Sequence, residues 1–208
     1  MKYRVLIVED QTIPSELFRI YIESSEEFEY AFSLSNASTA LSYCEHNHID
    51  LILMDVMTDL GHSGLLAAEE IKKAFPQIKI IIVTSIPEYS WLDRSRKIGV
   101  DSFWYKDGEK KSLIDIMSLT MKGEHIYPDQ TPIVRIGEAT SRDFTTRELD
   151  VLKELTTGDT NAEIAKTLCI SVPTVKSHIQ HLMEKTGFKT RTQLVSEARG
   201  LGIVIKDK

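Results

Sequence analysis

The 208-residue chain has only two cysteines, Cys44 and Cys169, and they fit no paired or ligand-like spacing. That excludes a disulfide framework and a Cys-based metal knuckle, and it implies two packed, reduced thiols in a cytosolic protein. No apolar run approaches the roughly 18 residues of a membrane helix. The opening MKYRVLIVED meets acids directly after a short apolar run, unlike a signal peptide or a span. Internal repeats and low-complexity tracts are also lacking. What remains is an ordinary soluble composition, 42% hydrophobic and 27% charged, in a chain long enough for one large domain or two small ones without staples. The cytoplasm is the expected location.

The formal net charge of −6 argues at first against nucleic acid, but the charge is unevenly placed. Residues 1–125 hold 13 Lys and Arg against 20 Asp and Glu, and residues 164–206 hold 7 against 2. An acidic first part and a basic end suggest two domains with different partners.

Three apolar runs mark the first half, Val5–Val8, Leu51–Met54 and Ile80–Val83. Short, branched and non-alternating, they read as parallel strands covered on both faces. Phe28–Ser33 and Ser102–Tyr105 are weaker strand candidates. Between and after these runs lie helical patterns at Pro14–Ser24, Ala37–His46, Leu65–Ala74, Tyr89–Ile98 and Lys110–Met121. The alternation predicts an α/β doubly wound five-stranded parallel sheet, whose sites form at the carboxyl ends of the strands. Tyr127–Arg142, with two prolines and a glycine, reads as a linker. Beyond it, Thr145-x-x-Glu148, Thr160-x-x-Glu163 and Thr190-x-x-Gln193 fit capping boxes, and Ser171 precedes Pro173 as a further N-cap. They announce a small all-α bundle of four helices.

Polar residues stand where each apolar run stops: Glu9 and Asp10, then Asp55, then Thr84, then Lys106. The fold rule gathers them at one edge of the sheet. Taken singly, each has a plain alternative as a helix cap or a solvated loop residue. Together, three carboxylates need a cation among them, and hard oxygen donors suit Mg²⁺. Asp55 can then attack phosphorus, with Thr84 and Lys106 on the phosphoryl oxygens.

On these residues, VLIVEDQ, LILMDV, IIVTS and GVDSFWYKD, the first part resembles the flavodoxin-like receiver domain of two-component signalling. The resemblance implies Mg²⁺ held by Glu9, Asp10, Asp55 and the Met57 backbone carbonyl, with Asp55 as phosphoacceptor. It assigns Thr84 and Phe103 to a switch, although Phe103 reads equally well as a fixed core ring. One departure stands in Asp55-Val-Met-Thr-Asp-Leu-Gly-His-Ser-Gly64, which lacks the usual proline and sets its second glycine one position late. The departure puts loop geometry, metal affinity and phosphate lifetime in question, and Asp59 reads as solvated.

At the basic end, a helix over Asn161–Leu168 and another over Val172–Lys185 flank a tight turn, as in a helix-turn-helix. Val175, Ile179 and Leu182 share the inner face with a packed His178; Lys176, Ser177 and Gln180 face out. Polar helix faces also occur in protein–protein bundles. Over FTTRELDVLKELTTGDTNAEIAKTLCISVPTVKSHIQHLMEKTGFKTRTQLV the chain resembles the LuxR-type DNA-binding domain. By that resemblance Thr174, Lys176, Ser177 and Gln180 face DNA, Lys166 and Lys185 meet phosphates, and the helix Thr192–Arg199 is a dimer face.

The resemblance divides the chain into a receiver (1–122), a linker (123–142) and a LuxR-type helix-turn-helix domain (143–208), in the manner of the NarL/FixJ-type response regulators. It implies a transcriptional regulator rather than an enzyme. Phosphorylated on Asp55 by a sensor histidine kinase, it would bind double-stranded operator DNA as a homodimer, with RNA polymerase as a candidate partner. Two alternatives stand beside it. A Mg²⁺-dependent phosphatase would want a second Asp where Met57 stands. A receiver that acts without phosphorylation would keep the DNA-binding half.

Overall fold

The computed structural model describes residues 1–106 and 112–205. Its contacts divide the chain into two units, Met1–Ser85 with Ser90–Asp129, and Ile86–Tyr89 with the described residues from Gln130 on. In the first unit, strands β1 (Tyr3–Val8), β2 (Phe28–Leu34), β3 (Leu51–Met54), β4 (Lys79–Thr84) and β5 (Ser102–Tyr105) form one sheet. All pairs are parallel, in the order β2-β1-β3-β4-β5. The central runs 5–8, 51–54 and 80–83 have no exposed surface, which explains why they are branched and never alternate.

Helices α1 (Thr12–Glu23), α2 (Ala40–His46), α3 (Gly64–Ala74), α4 (Trp91–Ile98) and α5 (Leu113–Met121) follow the strands in turn. The helical pattern expected from Lys110 has its first two residues outside the described ones. Helix α4 begins later than its pattern suggests, and α2 is preceded by a 3-10 turn at Ala37–Thr39.

The second unit contains a short hairpin, β6 (Arg135–Ile136) with β7 (Ala139–Thr140), then helices α6 (Thr146–Thr157), α7 (Asn161–Thr167), α8 (Val172–Thr186) and α9 (Arg191–Gly200). The hairpin lies inside the stretch read as a linker. Ile136 and Ala139 are buried with Leu152, Val175 and Leu182, so part of that stretch belongs to a core. The boxes at Thr145 and Thr160 both form in full. At Thr190 only the forward half is present, its hydroxyl accepting from the Gln193 amide. Cys44 is buried as expected, whereas Cys169 is not a packed thiol. It is exposed in the turn between α7 and α8, at a φ of 55°.

At the amino edge of the first sheet, Asp101 is 3% exposed and fully compensated. Its oxygens accept from Lys72 Nζ at 2.7 Å, Lys79 Nζ at 2.9 Å and the Ile80 amide at 2.9 Å. Burial raises its pKa, but the bonds from Lys72, Lys79 and Ile80 outweigh that and hold the carboxyl below its ordinary value. The stabilisation is therefore full above the unfolded carboxyl pKa and is lost as pH falls through the lower folded value. Asp101→Asn is expected to cost about 2 kcal/mol near neutrality, from lost hydrogen bonds to charged groups. Urea denaturation across pH checks this: the gap between variant and wild type narrows as the medium is acidified.

Candidate functional site

The carboxyl ends of the strands are tied to one another by backbone bonds continuing the ladder. The Glu9 amide donates to Leu34 O at 2.9 Å, Asp55 to Val8 O at 2.8 Å and Lys106 to Thr84 O at 2.9 Å. The positions of the polar residues are thus set by the sheet itself. Glu9, Asp10 and Asp55 each bring a carboxylate oxygen within 4.8 Å of the others, the one such acidic group among the described residues. Lys106 Nζ bridges Glu9 Oε2 at 2.5 Å and Asp55 Oδ2 at 3.0 Å. The other Asp55 oxygen accepts from the Val56 amide at 2.7 Å.

One ammonium does not balance three carboxylates. With these oxygens all within 4.8 Å of one another, each ionised like-charge pair repels by about 3 kcal/mol or more at an effective dielectric of about 20. Burial, with the Asp55 charge second, raises the Glu9 pKa. Burial likewise raises that of Asp55, against the pull of Lys106. Burial works to lower the Lys106 pKa, but the Asp55 and Glu9 charges outweigh it and raise the value. The arrangement has room for more positive charge. It also holds an oxygen with nothing to bond, since Asp10 Oδ1 is buried without a hydrogen-bond partner. Hard donors, surplus negative charge and an orphaned oxygen together fit Mg²⁺. Asp59 is exposed and outside the group, as its reading as a solvated residue had it.

The lengthened loop is absorbed locally. Met57 bridges to Ser63, Thr58 bonds His62 O through both its amide and hydroxyl, and Ala37 N donates to the same hydroxyl at 3.0 Å. The extra residue is taken up in a 3-10 turn, Asp59–Gly61, with Leu60 at φ 61° and Gly61 at φ 75°. Gly64 is thereby returned to the sheet edge, its amide on Val56 O at 2.8 Å. A Cβ built there would lie 1.9 Å from the Asp55 carbonyl oxygen, so only glycine fits without moving Asp55. Thr84 is fully buried beside Tyr105 in the strand register. Phe103 is 1% exposed, its ring 5.0 Å from that of Tyr105.

In the second unit the structure sorts the expected DNA-facing residues. Thr174, Lys176, Ser177 and Gln180 are exposed on α8, and Lys166 is exposed at the end of α7. Ser171 caps α8, its hydroxyl accepting from the Thr174 amide. His178 is half-buried, as expected of an inward side chain. Lys185 is not grouped with these. Its ammonium is held by Glu148 Oε2 at 2.7 Å and Asp143 O at 2.8 Å, anchoring α8 to the start of α6. Conversely, a groove of about 630 Å³ beside α8 brings Lys189 and Arg191 together with Lys176 and Gln180. Arg191 is spent on Asn161 Oδ1 and Asp159 O, whereas Lys189 is exposed. Lys189 escaped the sequence reading because it lies outside the helix whose periodicity marks the face. Its only signal was the basic KTRTQ stretch.

The close approach at Gly64 makes a direct prediction. Gly64→Ala is expected to destabilise the first unit by about 1–3 kcal/mol through overpacking against Asp55, read as a lowered denaturation midpoint. An unchanged midpoint contradicts the loop geometry.

Comparison with known proteins follows the same division. Residues 5–118 match the response regulator receiver domain, and residues 142–198 match the bacterial regulatory proteins of the luxR family. An uncharacterized transcriptional regulatory protein, YxjL of Bacillus subtilis, is 30% identical over 214 residues, covering 98% of each chain. The response regulator protein VraR of Staphylococcus epidermidis is 30% identical over 200 residues, covering 94% of this chain and 95% of its own. Among solved structures, RcsB dimers bound to DNA share 20% identity and a TM-score of 0.64, over 97% of this chain and all of that one. At that identity the likeness is one of fold. With both family models in register with both units, the chain belongs to the two-component response regulators of NarL/FixJ type, a receiver joined to a LuxR-type DNA-binding domain.

Proposed function

We propose that this regulator is switched by phosphorylation of Asp55 and, in that state, pairs on operator DNA. The observation that carries the reading is the under-compensated group of Glu9, Asp10 and Asp55 with Lys106 across it. A carboxylate oxygen of Asp55 attacks the phosphorus of a kinase phosphohistidine. The P–N bond breaks, its electron pair stays on the histidine nitrogen, and an acyl phosphate forms. Lys106 turns from the carboxylates to a phosphoryl oxygen, and the Thr84 hydroxyl takes another. Glu9, Asp10, Asp55 and the Met57 carbonyl would hold Mg²⁺, which when bound supplies the charge that lets the carboxylates and the incoming phosphoryl oxygens coexist. The protein is an acceptor and a switch and turns over no separate substrate.

For DNA, Lys176 and Gln180 on α8, with Thr174 and Ser177, meet the major groove, and Lys166 and Lys189 meet phosphates. Lys185, already neutralised by Glu148, serves packing instead. The exposed side of α9 pairs the domains on two half-sites, in the cytoplasm, with RNA polymerase as a further partner.

Two outcomes are expected. Incubation with acetyl phosphate and Mg²⁺ adds one phosphoryl group to the wild type, seen by intact mass, and none to Asp55→Ala. Equal labelling of the two proteins removes Asp55 from the acceptor role, and no labelling of a folded wild type favours a receiver that acts without phosphorylation. Lys176→Ala is expected to weaken operator binding by about 1–3 kcal/mol, about five- to 150-fold in a titration, and undiminished affinity counts against α8 as the reading helix.

A further inference from the structure

After α5 the chain reverses at Gly123, φ 91°, and runs back along β5, the edge strand of the sheet. Residues 125–128 are fastened there by four contacts within the first unit. The Ile126 carbonyl accepts from the Phe103 amide at 2.8 Å, and the Ile126 amide donates to Ser102 Oγ at 3.0 Å. His125 Nδ1 bonds Asp101 O at 2.9 Å, and the Tyr127 hydroxyl donates to Val100 O at 2.7 Å. Although its residues read as linker, this stretch lies on the receiver sheet.

Tyr127 occupies a particular place in that clip. Its ring centroid lies 6.4 Å from that of Phe103, with the Arg96 guanidinium of α4 at 4.9 Å from the Tyr127 ring. Phe103 in turn lies 5.0 Å from Tyr105, and Tyr105 is the strand partner of Thr84. A contiguous row thus leads from the strand end at the carboxylates, through Thr84, Tyr105 and Phe103, to Tyr127, three residues before the chain re-enters the second unit at Gln130. The Phe103 backbone makes the coupling tighter still, since its own amide holds Ile126.

We propose that Tyr127 is the coupling residue between the phosphoryl site and the linker. With Asp55 unphosphorylated, Phe103 walls one side of Tyr127 and the clip stays closed. A phosphoryl group that draws Thr84 inward repacks Tyr105 and Phe103, removes that wall, and releases residues 125–128 from β5. The free tether between the domains lengthens by the released residues, widening the set of positions the DNA-binding domain reaches. This rests on Asp55 being the acceptor.

Amide hydrogen exchange on the full chain, with intact mass recorded on the same samples, tests it. After acetyl phosphate and Mg²⁺, exchange at the Phe103 and Ile126 amides is expected to rise about tenfold or more in wild type. In Tyr127→Ala these amides exchange fast from the start and respond no further, with the phosphoryl adduct formed to the wild-type extent. Tyr127→Phe, which keeps the ring, keeps the response. Tyr127→Leu replaces the alanine variant where that one fails to fold. An adduct-bearing wild type with unchanged exchange overturns the coupling alone, as does a Tyr127→Ala protein protected like wild type. A wild type without adduct overturns the acceptor reading and the coupling with it.

Discussion

The first unit depends on an imbalance of charge at one edge of its sheet. Glu9, Asp10 and Asp55 crowd one point, and Lys106 answers only part of their charge. Left alone, such a group destabilises the fold, because like charges in a partly buried site either repel or take up protons. The opposite edge shows how the same sheet treats a carboxylate used only for stability. Asp101 is matched by two lysines and a backbone amide, and its pKa falls. At Asp55 the pKa rises. The contrast separates a carboxylate matched by its neighbours from one left short of positive charge.

The remainder of that unit serves to hold the imbalance in place. Parallel pairing without a surface-facing side explains the branched apolar runs, and it carries the strand-end residues to one edge with their backbones bonded together. Gly64 lets α3 start directly against the Asp55 backbone. The clip formed by residues 125–128 takes up the Phe103 amide of the edge strand β5, a donor that an open sheet edge leaves bare.

Much of this was legible in the residues. The apolar runs and their polar ends placed β1, β3 and β4 and the carboxylate group, because buried parallel strands permit few other patterns. The boxes Thr145–Glu148 and Thr160–Glu163 marked helix starts that the structure retains, since each satisfies amides that otherwise lack partners. The hairpin Arg135–Thr140 was missed because two-residue strands carry no periodicity, and their burial comes from packing on helices far along the chain. The engagement of Lys185 with Glu148 was hidden for a similar reason, the partners being 37 residues apart. The lengthened loop after Asp55 was visible as a departure. How it closes, through Leu60 and Gly61 at positive φ and the anchor of Thr58, follows from geometry that no spacing encodes.

A carboxylate group short of positive charge should gain stability from a cation that binds it. The most direct measurement is the unfolding free energy of the intact chain as Mg²⁺ is raised, with Asp10→Asn alongside. A ligand bound only by the native state stabilises it as its concentration passes the dissociation constant, by about 2.7 kcal/mol at a hundredfold excess over that constant. Without Mg²⁺ the wild type is expected to be less stable than Asp10→Asn, then to gain stability steadily as Mg²⁺ rises while the variant gains little. A wild type indifferent to Mg²⁺, or a variant that gains as much, would contradict it.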